Sequence, residues 1–209
     1  IKGMQPDYGF EIVGEEYIPL GYTDCSTVIT KIQQTQPDVI INTINGDSNV
    51  SFFKQYRDAG LSPDKIQVMS FSEGTLFAWN YFQSLDTEAS KSFTEKFKSL
   101  YGEDKVTGDP VVNSYEGVYL WKAAVEAAGT FDIEPVIAQC ETGNVEAETP
   151  EGTVTIAAGD THHCLQKVYV GACNADGQMN ILWETSDRVV PDPWLAGYSW
   201  AESAGLAQQ

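Results

Sequence analysis

The side chains best suited to catalysis or metal binding are four cysteines and two adjacent histidines. They are Cys25, Cys140, Cys164, Cys173, His162 and His163. The cysteines form no CxxC pair, which disfavours a zinc knuckle and a thioredoxin-like motif. Adjacent side chains on a strand point to opposite faces, so we expect the histidines to have a surface or capping role rather than to bind a metal.

The even number of cysteines permits disulfide bonds if the protein resides in an oxidising compartment. Cys164 and Cys173 lie far apart on one predicted strand, too far to bridge each other. A bond between Cys140 and one of these two is an open alternative, and Cys25 is expected to be free.

Common catalytic motifs are absent from the sequence. It contains no GxSxG nucleophile elbow, no P-loop, no GxGxxG and no HExxH. Both histidines fall in one predicted loop, so the usual general base is scarce, and a Cys-His hydrolase would need Cys25 and His163 to meet. The sequence therefore favours a binding protein over an enzyme and predicts no cofactor and no metal.

The charge balance excludes further classes of protein. The 209 residues include 30 Asp and Glu against 12 Lys and Arg, a formal net charge of -18. Such a chain repels the phosphates of nucleic acids and the surface of anionic membranes. No apolar run approaches the ~20 residues that span a bilayer. The 42% hydrophobic content is enough for a sizeable core.

A repeat of strands and helices occupies the first third of the chain. Strands are predicted at residues 10–17, 39–44 and 66–71, with helices between them. The β-branched run at 39–44 is typical of a strand buried on both faces, so the pattern predicts an open parallel sheet flanked by helices. Ligands of such sheets bind at the carboxyl ends of the strands, where polar residues follow here. The alternative is a simple turn in which Asp47 or Ser48 caps the next helix.

Apolar residues at helical spacing predict which helix faces are buried. The residues expected to face the core are Val50, Phe53 and Tyr56 in the helix that Asp47 or Ser48 can cap, and Val118, Tyr119 and Val125 in a helix at 113–128. The other predicted elements are a helix with Val28, Ile29 and Ile32 on its apolar face, a strand at 78–83, a helix that begins at Thr87, a short helix from Asp132 to Cys140, strands at 153–156, 167–173 and 179–183, and a hairpin turn at 174–177.

Several segments resemble those of one family. They are residues 14–24 (GEEYIPLGYTD), 37–49 (PDVIINTINGDSN), 52–60 (FFKQYRDAG), 78–84 (AWNYFQS), 149–156 (TPEGTVTI) and 191–193 (PDP). Together they resemble the urea-binding solute receptors of ABC importers. These belong to the type I periplasmic binding proteins, which include the short-chain amide sensors. The combination is typical of the urea and amide branch, and the resemblance covers nearly all of the chain.

The resemblance implies a fold, a function and a location. The implied fold is an α/β clamshell of the type I periplasmic binding proteins, in which parallel sheets flanked by helices form two lobes. The implied function is that of an extracytoplasmic receptor that captures urea or a short-chain amide in the cleft between the lobes and delivers it to the permease of an ABC importer. The expected location is periplasmic or extracellular, with a signal peptide upstream of this chain.

Measured against the family, the chain resembles the C-terminal half of a receptor. Residues 1–76 are expected to form part of the C-terminal lobe, residues 77–140 to cross the hinge and form helices of the N-terminal lobe, and residues 141–209 to return to the C-terminal lobe. The family carries a loop and a helix between the positions that match Ser72 and Glu73, which are adjacent here.

The chemistry of urea and small amides indicates which residues would bind them. These ligands are neutral, with N–H donors around a carbonyl acceptor, and a buried polar group left unpaired costs about 1–3 kcal/mol. Carboxylate and amide oxygens suit the N–H groups, while hydroxyl and backbone N–H groups suit the carbonyl. The candidate ligand-binding residues are Thr43, Asn45, Asp47, Ser48, Ser70, Ser72 and Tyr115.

Two aromatic residues and one carboxylate have alternative roles. Trp79 and Tyr81 are candidates for a wall of the cleft, although core packing is the favoured role for both. A helix cap is an equal alternative for Asp47, and a cap is compatible with ligand contact.

The rival hypothesis from another class is a secreted structural or interaction protein that keeps the fold without a transport function. Four cysteines exceed the pattern of the family, and Cys25 stands where an aromatic residue is common. These departures and the strong acidity are compatible with such a protein.

Overall fold

The computed structural model describes residues 1–71 and 76–206. In chain order the elements are a 3-10 turn (Lys2–Met4), α1 (Gln5–Tyr8), α2 (Ser26–Thr35), β1 (Val39–Asn42), α3 (Asp47–Asp58), β2 (Gln67–Ser70), β3 (Leu76–Trp79), α4 (Glu88–Tyr101), α5 (Asp109–Ala128), α6 (Ile133–Cys140), β4 (Glu146–Thr149), β5 (Gly152–Ile156), β6 (Cys164–Leu165), β7 (Tyr169–Cys173), β8 (Met179–Glu184) and α7 (Ser199–Ser203). Within the described ranges, no helix has both the length and the apolar character needed to cross a bilayer.

The chain divides into two compact units. Unit 1 comprises Ile1–Phe77 and Asp192–Gln209, and unit 2 comprises Ala78–Pro191. Residues 141–191 are thus grouped with unit 2 rather than with the beginning of the chain, because β4 packs against α5 and pairs with β5. The assignment of these segments to the lobes of a receptor stays a prediction.

Unit 1 contains the predicted parallel pairing. β1 and β2 run parallel with Asn42 opposite Ser70, and β2 pairs in parallel with the start of β3, where Met69 stands opposite Leu76. Helices α2 and α3 pack on this sheet through a core made of Cys25, Ile29, Ile32, Phe52, Tyr56, Leu61, Ile66 and Val68. The prediction of an α/β fold with helices flanking the sheets is therefore confirmed.

The two faces of β1 differ in their exposure to solvent, and this corrects one prediction. Val39 is 50% exposed and Ile41 is 45% exposed, whereas Ile40 packs against the core and Asn42 is buried. The prediction that this strand is buried on both faces was wrong for the described chain, because α2 and α3 cover one side of it.

The segment predicted as the first strand has no regular structure. Residues 10–17 contain no helix or strand, and Tyr17 is 85% exposed. A strand needs a neighbour to accept and donate its backbone hydrogen bonds. Within the described ranges, no strand pairs with these residues.

Helix α3 begins one or two residues earlier than predicted, and its buried face matches the prediction only at Tyr56. Gly46 occupies its N-cap position with a φ of 62°, so neither Asp47 nor Ser48 is the cap. The buried apolar residues are Phe52 and Tyr56, while Val50 is 65% exposed. The spacing of four residues between the two rings defines the inner face of the helix.

Helix α5 in unit 2 also presents another face than predicted. Its buried residues are Val112, Glu116, Leu120 and Ala124, each four positions after the last. Val118 is 62% exposed, and Tyr119 is 42% exposed. Apolar residues occur all around this helix, so periodicity alone does not single out one face.

The remaining strands of unit 2 are antiparallel. β4, β5 and β6 form a three-stranded sheet in that order, and β7 pairs with β8 through the predicted hairpin, where Gly177 adopts a φ of 73°. Helix α4 begins after Thr87 as predicted, and the Thr87 side chain accepts a hydrogen bond from Ser90 N.

The strand predicted at 78–83 lies earlier in the chain, since β3 ends at Trp79. The backbone N–H groups of Asn80 and Tyr81 donate to Oδ1 of Asp109 over 2.9 and 3.0 Å. A side chain thus takes the hydrogen bonds that a neighbouring strand would otherwise have accepted.

Candidate functional site

Parallel pairing brings the carboxyl ends of β1 and β2 to the same edge of the sheet in unit 1. Asn42 and Ser70 are opposite each other in the register, and Phe71 N donates to the carbonyl of Asn42 over 2.9 Å. The residues after β1 form a short loop that leads directly into α3. Ligands of parallel α/β sheets bind at edges of this kind.

Three of the predicted ligand-binding residues lie together on this loop and are exposed. They are Thr43, Asn45 and Asp47. Asn45 Nδ2 donates to the carbonyl of Thr43 over 3.4 Å, and Asp47 is the first residue of α3. A carboxylate in the first turn of a helix interacts favourably with the helix dipole. The loop thus offers a hydroxyl, an amide and a carboxylate to solvent.

The other predicted residues of unit 1 are placed differently. Ser48 is buried, and its hydroxyl donates to the carbonyl of Pro19 over 3.3 Å. Ser70 is fully buried at the end of β2. Ser72 lies outside the described residues.

Tyr115 lies in unit 2, on an exposed face of α5. Its hydroxyl donates to that of Tyr119 over 3.1 Å, and its ring packs against Phe93. Tyr81 is completely buried, with its hydroxyl within 3.1 Å of Ser90 Oγ and 3.2 Å of Thr107 Oγ1, so it is a core residue. Trp79 is half-buried and stacks on Phe82.

Unit 2 contains a cluster of buried carboxyl groups that sequence patterns did not indicate. Glu116 is 3% exposed, and its Oε1 accepts a hydrogen bond from Gln166 Nε2 over 2.8 Å. Its Oε2 has no hydrogen-bond partner among the described residues, and neither has Oε2 of Glu151. The hydroxyl of Thr149 donates to the carbonyl of Gly152 over 2.9 Å.

The burial of this cluster changes its acidity. Burial, and secondarily the charge of Asp109, raises the pKa of Glu116 to about 7. Burial, and then the charge of Glu116, raises the pKa of Glu151 to about 8, and burial raises the pKa of Cys164 to about 11. Removing water from around a carboxylate disfavours its charged form. Glu116 and Glu151 therefore hold their protons to a higher pH than carboxyl groups in water do.

Two residues of interest were missed by the sequence analysis for different reasons. Asn42 is buried at the end of β1, but it stands inside the run VIINTI, whose apolar character dominates. Glu116 lies in line with Val112, Leu120 and Ala124 at a spacing of four. A charged residue within an apolar i, i+4 series was the available signal, and the choice of the wrong helix face concealed it.

The placement of the histidines and of the other potential metal ligands bears on whether the described residues form a metal site. His162 and His163 are exposed before β6, as the predicted surface role requires. No group of three His, Cys, Asp or Glu side chains within residues 1–71 and 76–206 is arranged to hold a metal ion.

A cleft of about 480 Å³ in unit 2 is lined by Glu146, Glu148, Glu151, Gly152, Thr153, Lys167 and Arg188. The loop that carries Thr43, Asn45 and Asp47 contributes none of these lining residues.

Known proteins with similar sequences or structures indicate the family of the chain. A Brucella melitensis protein named Leu/Ile/Val-binding protein homolog 6 is 23% identical over 185 residues, 81% of this chain and 47% of its own length. A Geobacillus stearothermophilus protein named limonene hydroxylase is 28% identical over 125 residues, 60% of this chain and 22% of its own. The chain thus spans about half, or less, of the length of these curated relatives.

A solved structure supports the fold. It is the solute binding protein of an ABC transporter from Rhodopseudomonas palustris HaA2 in complex with p-hydroxybenzoic acid, with a TM-score of 0.77 and 26% identity. The alignment covers 94% of this chain and 57% of that one. The profile of the family described as Periplasmic binding protein domain matches residues 2–199, nearly the whole sequence. The chain therefore belongs to the periplasmic binding protein domain family, with the type I fold.

Proposed function

We propose that the chain is part of an extracytoplasmic receptor that captures a small neutral amide, urea or a short-chain relative, and delivers it to the membrane permease of an ABC importer. The observation that carries the proposal is the exposed group of Thr43, Asn45 and Asp47 at the carboxyl ends of β1 and β2, in a chain of the periplasmic binding protein family. The family description also supports a location outside the cytoplasm.

The chemistry of the loop supports a neutral ligand. Residues 43–49 contain no lysine or arginine, while Asp47 contributes a negative charge. A ligand carboxylate would be repelled by Asp47, whereas the N–H groups of urea would donate to its oxygens and to the carbonyl oxygen of Asn45. The hydroxyl of Thr43 can donate to the ligand oxygen. Ser48 and Ser70 are buried, so the proposal depends on the three exposed residues.

The ligand preference can be measured by calorimetry on the full-length protein that contains this chain. The panel consists of urea, acetamide, p-hydroxybenzoate and leucine. The proposal expects binding of urea or acetamide and little or no binding of the other two. Binding of p-hydroxybenzoate or leucine alone would leave the receptor function intact but overturn the amide preference.

A pair of variants tests the site itself. Asp47→Ala should weaken urea binding by about tenfold or more, because it removes a charged acceptor. Asp58→Ala is the matched control, since Asp58 is exposed at the opposite end of the same helix, and it should leave the affinity unchanged. Equal affinities of both variants and the natural protein would remove Asp47 from the site. Failure of the natural protein to bind any of the four compounds would favour a protein that keeps this fold without transport.

A further inference from the structure

Asn42, the last residue of β1, connects the loop of Thr43, Asn45 and Asp47 to the interior of unit 1. It is only 3% exposed, although it carries a polar amide. Its Oδ1 accepts a hydrogen bond from Ile44 N over 2.7 Å, and its Nδ2 donates to Asn49 Oδ1 over 2.8 Å. A single side chain therefore links the middle of the loop to the first turn of α3.

The orientation of the Asn42 amide follows from these partners. The backbone N–H of Ile44 can only donate, so the amide atom that faces it must be the oxygen. The amide nitrogen then points to Asn49, which is 1% exposed. Because both side chains are shielded from water, solvent does not readily replace the contacts that the Asn42 amide makes.

The main chain of Asn42 adds a third connection. Its carbonyl accepts a hydrogen bond from Phe71 N over 2.9 Å, which joins the end of β1 to the residue that follows β2. At the other end of the loop, Gly46 combines a φ of 62° with a ψ of -144°, and its carbonyl accepts a hydrogen bond from Asn49 N over 2.9 Å. This backbone conformation is essentially restricted to glycine. The four-residue turn is thus held at both ends.

We propose that Asn42 is a positioning residue of the ligand site: its bonds to Ile44 and Asn49 hold Thr43, Asn45 and Asp47 in the arrangement that binds the ligand. This inference rests on the proposed function, because it assigns Asn42 a role in that same site. Asn42 itself does not touch the ligand. It contributes by fixing the loop before the ligand arrives, which reduces the ordering that binding would otherwise require.

The decisive comparison separates ligand affinity from stability. Asn42→Leu keeps a side chain of similar size but removes both amide contacts. Ile29→Ala is the control, because Ile29 is 5% exposed on α2 in the same core and lies outside the loop. Each variant of the full-length protein is titrated with urea, and in parallel with p-hydroxybenzoate, and its melting temperature is recorded.

The inference expects a specific pattern of results. Asn42→Leu should weaken binding of the probe that the natural protein binds by about tenfold or more, at a melting temperature no lower than that of Ile29→Ala. Ile29→Ala should stay within about twofold of the natural affinity.

Each contrary result has one meaning. Unchanged affinity in Asn42→Leu would overturn the positioning role alone. A loss in Ile29→Ala as large as that in Asn42→Leu would show that affinity merely follows stability, which also overturns the role. If the natural protein binds neither probe, the proposed function falls first and the positioning role falls with it.

Discussion

Gln166 donates a hydrogen bond over 2.8 Å to one carboxylate oxygen of Glu116, while the other oxygen of Glu116 has no partner among the described residues. The two residues are 50 positions apart in the sequence, so the contact exists only in the folded chain. A carboxyl group with one unsatisfied buried oxygen is more stable when it is protonated, and this makes the stability of unit 2 depend on pH.

Replacement of Glu116 by Gln should reduce that pH dependence. The pKa of Glu116 rises from 4.5 to about 7 on folding. Its protonation therefore stabilises the fold fully below pH 4.5, and this contribution is lost as the pH rises through 7. One pKa unit corresponds to ~1.4 kcal/mol, so the natural protein should lose up to about 3 kcal/mol through this group, and Glu116→Gln should not. Guanidinium chloride titrations at several pH values measure the difference.

The control for this experiment is Glu126→Gln on the exposed side of the same helix. Its curve of stability against pH should run parallel to that of the natural protein. If the curve of Glu116→Gln were also parallel, the raised pKa of Glu116 would be refuted. Guanidinium chloride is the suitable denaturant, because urea is a proposed ligand.

Two valines on α5 test which face of the helix is buried. Val112 is fully buried, whereas Val118 is 62% exposed. Val112→Ala should lower the free energy of unfolding by about 2 kcal/mol, because it removes buried apolar surface and leaves a cavity. Val118→Ala should change it by less than about 0.5 kcal/mol. The pair is matched in residue type and helix, so equal effects would contradict the assigned face.

The cap of α4 makes a separate prediction about stability. The side chain of Thr87 accepts a hydrogen bond from Ser90 N over 3.1 Å. Thr87→Ala should destabilise the protein by about 1 kcal/mol, since one N–H group at the helix start loses its acceptor. Thr87→Ser retains the hydroxyl and should stay close to the natural value. Chemical unfolding monitored by circular dichroism would show whether the two variants differ.

The thiol groups should react in an order set by their exposure. All four cysteines are free, Cys173 is exposed and Cys25 is completely buried. Burial also raises the pKa of Cys25 and that of Cys164, which lowers the fraction of reactive thiolate. A colorimetric thiol reagent should therefore show a fast phase from Cys173 and slow reaction at Cys25. Persistence of the fast phase in Cys173→Ser would contradict this order.

Local patterns predicted elements whose signals lie in neighbouring residues. Thr87 initiates α4 because its side chain caps the backbone three residues later, and the turn before β8 places Gly177 at a positive φ. The β-branched run after Pro37 predicted a strand, and the polar residues after it predicted the loop that carries Thr43, Asn45 and Asp47. These features depend on a few consecutive side chains and are readable without the fold.

The sequence analysis did not predict other features, because they depend on contacts with residues far away in the sequence. Residues 10–17 have the composition of a strand, yet no described strand pairs with them. β3 stops at Trp79 because Asp109 takes the next two backbone N–H groups. Neither outcome follows from local propensity, since each is decided by a partner far away in the sequence.

The sequence by itself determined the class of the protein: an acidic α/β chain with the segments of a periplasmic binding protein and polar residues at the ends of parallel strands. The tertiary structure decided which faces of α3 and α5 are buried, that Glu116 is buried in unit 2, and that the Asn42 side chain bonds to Ile44 and Asn49. The physical reason is that periodicity states only which residues share a face. Which face loses its water, and which polar groups must then find partners, is set by the elements that pack against it.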